Sequence, residues 1–111
     1  MDCLFCRIAA GEIPSRKVYE DEQMLAFWDI EPKAPVHVLL IPKTHLDGVR
    51  QVTAENAAAV AHIFEKIPEI AASMELTDYR VVTNNGAEAG QSVQHLHFHL
   101  LGGRSMAWPP G

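Results

Sequence analysis

Gln91-Ser92-Val93-Gln94-His95-Leu96-His97-Phe98-His99-Leu100-Leu101 sets three histidines at alternate positions between apolar residues. A period of two is the signature of a strand. On a strand running through it, His95, His97 and His99 share one face and Leu96, Phe98 and Leu100 the other, with successive imidazoles roughly 6–7 Å apart. The apolar face has to be buried, so the histidine face is either a cleft or a solvated surface. Half of the six histidines fall in these five residues, which favours a cleft. Directly upstream, Asn84-Asn85-Gly86-Ala87-Glu88-Ala89-Gly90-Gln91-Ser92 is a small polar loop suited to presenting backbone N–H groups to an anion.

Outward from this stretch the chain reads as strands and two helices. Asp2 is placed to cap a short helix over Cys3–Ala10, stopped by Gly11 and Pro14. Val18-Tyr19-Glu20 and Met24-Leu25-Ala26-Phe27-Trp28 read as strands about a polar turn. Asp29-Ile30-Glu31-Pro32-Lys33-Ala34-Pro35 is a loop, because two prolines bar regular pairing. Val36-His37-Val38-Leu39-Leu40-Ile41 is the most apolar strand and hence the central one. Pro42-Lys43-Thr44-His45 turns and leaves His45 near a strand end. Thr53 is expected to cap a helix from Ala54 to about Met74, with Val60, Ile63, Phe64 and Ile67 at helical spacing and His62 on the polar side. Pro68 predicts a kink or a break. Tyr79-Arg80-Val81-Val82-Thr83 is a further strand. Five strands joined mostly by turns, with one long and one short helix, make an antiparallel α+β fold.

A chain of 111 residues is read as one domain, residues 1–111, able to bury roughly two-thirds of its unfolded surface. No apolar run is long enough to span a membrane, and the N-terminus lacks the basic region of a signal peptide. A cytoplasmic location follows as the expectation. The net charge of −5 argues against a nucleic-acid surface, yet leaves room for small anionic substrates held by local N–H groups and imidazoles. Cys3 and Cys6, three apart on one helix face, suit a metal pair or a redox motif better than a structural disulfide.

Two chemistries fit the histidine face. Alternate histidines can chelate one zinc, leaving an open fourth position. Alternatively, a neutral imidazole is a good nucleophile near pH 7. Attack on phosphorus would need a partner fixing its tautomer and donors for the phosphoryl oxygens. The Asn84–Ser92 loop supplies such donors next door in sequence, which favours phosphorus chemistry.

His95-Leu96-His97-Phe98-His99-Leu100-Leu101 resembles the signature of the histidine triad (HIT) superfamily, histidines alternating with apolar residues. The likeness extends through Phe5-Cys6-Arg7-Ile8, Gly11-Glu12-Ile13-Pro14, Phe27-Trp28-Asp29-Ile30, Ala34 through Lys43, and Gly90-Gln91-Ser92-Val93. The ending, Gly102-Gly103-Arg104 with Trp108-Pro109-Pro110-Gly111, is similar to the Hint branch of nucleoside phosphoramidases. The dinucleoside polyphosphate hydrolase branch usually has Pro-Arg after the triad, and the uridylyltransferase branch replaces the third histidine.

The resemblance implies that His97 attacks the α-phosphorus of a nucleoside 5′-phosphoramidate or acyl-nucleotide, giving a nucleotidyl-histidine that water hydrolyses. It implies that the His95 carbonyl holds the His97 ring, and that His99 and His37 line the phosphate and relay the proton to the leaving amine. Ser92, the amides of Gly90, Gln91 and Ser92, and Asn84 would bind phosphate oxygens. Asp29 would accept both ribose hydroxyls, while Phe5, Ile8, Phe27 and Ile30 would sandwich a base, a purine such as that of AMP or GMP being preferred. Trp108 would reach across a homodimer whose two sheets join into one of ten strands. No catalytic cofactor is implied. Some bacterial relatives pair a Cys-x-x-Cys with two histidines, and Cys3, Cys6, His45 and His95 make a complete set for a structural zinc. Competing readings are a nucleotide-binding adaptor, a zinc hydrolase using the triad as ligands, and a dinucleoside polyphosphate hydrolase.

Overall fold

The computed structural model describes residues 3–111. In chain order it has α1 (Leu4–Ala9), β1 (Lys17–Glu20), β2 (Met24–Trp28), β3 (Val36–Pro42), α2 (Ala57–Ser73), β4 (Tyr79–Val82) and β5 (Phe98–Gly102). The strands form one five-stranded sheet in the order β1-β2-β3-β5-β4, every neighbouring pair antiparallel. β3 lies at the centre, as its apolar run implies, and the expected α+β class with one long and one short helix holds.

Strand alternation sorts the side chains of β3 into two cores. Val38 and Leu40 face α2 and pack with Ile63, Ile67, Ile70, Leu96, Phe98 and Leu100. Leu39 and Ile41 face α1 and pack with Phe5, Ile8, Leu25 and Phe27. The sheet is therefore covered on both faces, and the histidines belong to the α1 side.

Four local expectations need correction. The strand expected through His95–His99 begins only at Phe98, so His99 alone of the three lies in β5. Upstream, the backbone groups are taken by other partners. The His95 N–H donates to the Val93 carbonyl, the Leu96 N–H to the Leu46 carbonyl, and the Thr83 hydroxyl to the His97 carbonyl. The long helix starts one turn later than expected, because the Asn56 side chain accepts the Thr53 N–H and donates to the Gln51 carbonyl, holding that segment in a turn. Pro68 neither ends nor divides α2. Pro68 and Phe64 both lie on the exposed side, so the carbonyl it cannot serve faces water. Lastly, Cys3 occupies the N-cap of α1, its Sγ accepting the Cys6 N–H at 3.3 Å, and the expected cap Asp2 lies outside the described residues.

Candidate active site

The register of β3 against β5 pairs His37 with Leu101 and Leu39 with His99. His37 and His99 are therefore diagonal neighbours on one face, within reach of each other. Their rings meet with His37 Nε2 2.9 Å from His99 Nδ1. The Lys33 backbone N–H donates to His37 Nδ1 at 3.0 Å. A backbone amide can only donate, so neutral His37 carries its proton on Nε2 and gives it to His99 Nδ1. His99 must then carry its own proton on Nε2, which has no partner among the described residues. Asp29 Oδ2 stands 3.4 Å from His37 Nε2, while Oδ1 accepts the Glu31 N–H at 2.8 Å. Burial lowers the His37 pKa and pushes that of His99 down to about 4, with His97 and His37 adding to the latter and Asp29 opposing. Both rings are neutral at pH 7.

His97 is buried, and its Nδ1–H donates to the His95 carbonyl at 2.6 Å. A carbonyl only accepts, so the lone pair of neutral His97 sits on Nε2. Phe5 meets the His97 ring edge-on with centroids 5.1 Å apart, and the His99 ring lies at 5.1 Å. Phe5, Ile8 and Phe27 are brought together beside it, Phe5 and Phe27 edge-to-face at 5.5 Å. Ile30 is 95% exposed on its loop and joins no such cluster.

The polar loop is narrower in what it offers than the sequence implies. The Gly90 N–H donates to the Ala87 carbonyl and the Gln91 N–H to the Gly86 carbonyl, so neither is free for an anion. The Gln91 side chain is buried, accepting the Gly86 N–H and donating to the carbonyls of Asp47 and Val93. It braces the loop from inside. Gly90 is required there because its φ is +98°, and Asn84 lies against it. Ser92 is exposed at the end of the loop. A cavity of about 520 Å³ bordered by Cys3, Leu4, His45, Ser92 and Val93 adjoins it. Trp108 is 80% exposed and meets the Arg80 guanidinium beside β4; among the described residues it makes no ring contact with the imidazoles.

Cys3, Cys6, His45 and His95 converge, their donor atoms within 4.8 Å of one another. The His95 Nε2–H donates to the Pro42 carbonyl at 2.8 Å, and His45 Nε2 meets Asp47 Oδ1 at 2.7 Å. Both rings thus present Nδ1 to the cluster, and the two Nδ1 atoms stand 3.1 Å apart. The Sγ–Nδ1 distances are 3.2, 3.3 and 3.5 Å. Ligands of a tetrahedral zinc stand roughly 3.3–3.8 Å apart, so the set fits a structural zinc after a few tenths of an ångström of expansion. Burial pushes the Cys6 thiol up to about 11, with the neighbouring Cys3 adding, and burial lowers the His95 pKa. A bound cation would hold both cysteines as thiolates and tie α1 to the β3 end. His95 belongs to both constellations: its ring faces the cysteines and its carbonyl holds His97.

Three partners were not foreseen. The Lys33 N–H is a backbone group with no sequence mark, and Thr83 reads simply as the end of a strand. Asp47 carried a signal, a carboxylate two residues after His45.

The HIT domain family model matches residues 10–106. An uncharacterized HIT-like protein of Synechocystis sp. is 51% identical over 111 residues, covering 99% of this chain and 97% of its own. Protein HitA of Neisseria gonorrhoeae is 46% identical over 102 residues, 91% of this chain and 95% of its own. Among solved structures, a HIT family hydrolase from Legionella pneumophila aligns with a TM-score of 0.96 at 46% identity, covering 99% of this chain and 100% of that one. A histidine triad protein from Clostridium difficile aligns with a TM-score of 0.93 at 46% identity, over 96% of this chain and 95% of that one.

Proposed function

The chain belongs to the HIT domain family, and from that premise we propose that it is a hydrolase of nucleoside 5′-phosphoramidates and acyl-nucleotides of the Hint type, working through a nucleotidyl-histidine. The observation that carries this reading is the 2.6 Å bond from His97 Nδ1 to the His95 carbonyl. It leaves an unprotonated Nε2 on a buried, immobilised ring beside a neutral His99 bearing an Nε2–H. A nucleophile and a hydrogen-bond donor therefore stand side by side.

His97 Nε2 forms a bond to the α-phosphorus as the phosphorus–nitrogen bond to the amine breaks. The leaving amine takes its proton from a water held by the His99 Nε2–H, while His37 keeps that tautomer through its own Nε2–H. The hydroxide so formed attacks the phosphorus as the His97–phosphorus bond breaks. Ser92 offers its exposed hydroxyl to a phosphoryl oxygen. Asp29 is the ribose acceptor, and its Oδ2 is the freer oxygen, since Oδ1 already holds the Glu31 N–H. Phe5, Ile8 and Phe27 provide apolar walls for a base, with purines preferred. The reading carries a homodimer: β4 is an edge strand and Trp108 meets Arg80 beside it, which supports pairing along that edge with Trp108 entering a partner's site.

The test is to quench the protein during turnover of adenosine 5′-phosphoramidate and map the adduct by mass spectrometry. The expected result is adenylyl-His97, with turnover falling about a thousandfold or more in His97→Ala while AMP still binds. An adduct elsewhere, or near-normal turnover in that variant, overturns the assignment. Nucleotide binding without turnover in the unaltered protein favours the adaptor reading.

A further inference from the structure

Gly102-Gly103-Arg104 has so far served only as a likeness, yet these residues grip the loop 29–35 that frames the site. The Arg104 guanidinium donates to the Lys33 carbonyl at 3.0 Å and, from its other amino group, to the Ser105 carbonyl at 3.1 Å. Gly103 has φ +91°, and a Cβ there would stand 2.8 Å from Pro35 Cβ, so the loop lies flush on its backbone. Gly102 is as closely covered by Leu76. At its base the loop is closed by the Asp29 N–H, which donates to the His37 carbonyl at 3.0 Å. Lys33 is thus held from two sides, its carbonyl by Arg104 and its N–H by His37 Nδ1.

We infer that Arg104 is a positioning residue for the hydrolysis proposed above: through Lys33 it selects the tautomers of His37 and His99 that keep a proton ready for the leaving group. This inference rests on that reading for its kinetic consequence, but its structural half stands on the hydrogen bonds alone. With Lys33 in place, His37 is protonated on Nε2 and His99 on Nε2. If Lys33 drifts, His37 is free to carry its proton on Nδ1. Its Nε2 then becomes an acceptor 2.9 Å from His99 Nδ1. His99 satisfies that contact by moving its own proton to Nδ1, and the ligand-facing Nε2 changes from donor to acceptor. The number of protons is unchanged, but the donor that orients the proton-giving water has turned away from the amine. The planar, two-armed guanidinium suits the task, since it reaches both carbonyls at once, whereas an ammonium is a single point charge. Arg104 is exposed, so its replacement removes no core packing.

The experiment uses full-length, ¹⁵N-labelled protein and the variants Arg104→Ala and Arg104→Lys. Long-range proton–nitrogen spectra distinguish protonated from bare ring nitrogens. The expected spectra show Nε2–H on His37 and His99 in the unaltered protein, a second tautomer of both in Arg104→Ala, and an intermediate mixture in Arg104→Lys. Kinetically, kcat for a nucleoside phosphoramidate with an alkylamine leaving group falls about tenfold in Arg104→Ala, part of what a general acid commonly supplies. For a nucleoside 5′-(p-nitrophenyl phosphate), whose phenolate leaves without a proton, kcat changes less than twofold, and KM moves little for either. Nδ1–H on His37 in the unaltered protein, unchanged spectra in Arg104→Ala, or equal losses on both substrates would overturn the inference. If the unaltered protein turned over neither substrate, the proposed function would fail while the spectra still decided the tautomers.

Discussion

His99 offers the sharpest quantitative test, because its protonation state links stability to chemistry. Its pKa in the folded chain is held at about 4, against 6.5 for an ordinary imidazole, chiefly by burial. A histidine depressed on folding contributes stability that is fully present above 6.5 and is lost as pH falls toward 4, because the unfolded chain takes up the proton first. For a fully sequestered ring, the linkage between these two values amounts to about 2 kcal/mol on going from pH 7 to pH 5. His99 is half-buried, and solvent screening reduces the figure to about 1–2 kcal/mol. His37, also depressed, acts in the same direction. The assay is urea unfolding of the unaltered protein and of His99→Gln at pH 7 and pH 5, in one buffer and at one metal loading. Glutamine cannot titrate, so the variant should be destabilised at pH 7 but should lose about 1–2 kcal/mol less than the unaltered protein on acidification. Equal losses, within about 0.3 kcal/mol, would mean that His99 titrates alike folded and unfolded. The neutral ring with a donor at Nε2 would then lose its physical basis.

Two other perturbations probe the supports of the site. Thr83→Val keeps the shape of the side chain but withdraws the hydroxyl that donates to the His97 carbonyl at 2.7 Å. It should cost about 1–2 kcal/mol in thermal or urea unfolding and reduce turnover, whereas unaltered stability would show that water replaces the bond freely. Cys6→Ser should abolish retention of one zinc per chain, read by elemental analysis after gel filtration, and lower the melting temperature of zinc-loaded protein by several degrees, about 4–8 °C for each kcal/mol lost. Equal zinc content in the two proteins would remove the Cys/His cluster as a metal site.

What was legible in the chain and what was not divides along a physical line. Nearly unbroken apolar runs in Met24–Trp28 and Val36–Ile41 announced strands and a central position for the second, because only a strand buried on both faces is apolar at nearly every residue. Helical spacing of Ile63 and Ile67 announced the buried side of α2. The histidine stretch announced the cluster of imidazoles, and Cys3 with Cys6 pointed to a metal pair or a redox motif; the structure brings both to His45 and His95. Less legible was the end of the alternation: His95 and His97 alternate like a strand but are not in one, because a hydrogen bond from the Thr83 hydroxyl and two to the Leu46 and Val93 carbonyls decide the backbone, and none of them leaves a periodic mark. The same holds for Gln91, whose backbone amide was expected to hold phosphate: its N–H is taken by the Gly86 carbonyl, and its side chain is an internal brace.

By itself, then, the amino-acid sequence determined the strand and helix inventory, the sidedness of the cores and the stretch that supplies the clustered imidazoles, since these follow from side-chain chemistry repeated at short intervals. Only the tertiary structure decided which nitrogen of each imidazole bears the proton. That choice rests on single carbonyls and N–H groups, from His95, Pro42 and Lys33, brought up by folding. A backbone donor or acceptor is chemically the same at every residue, so its placement cannot be read until the chain has closed around it.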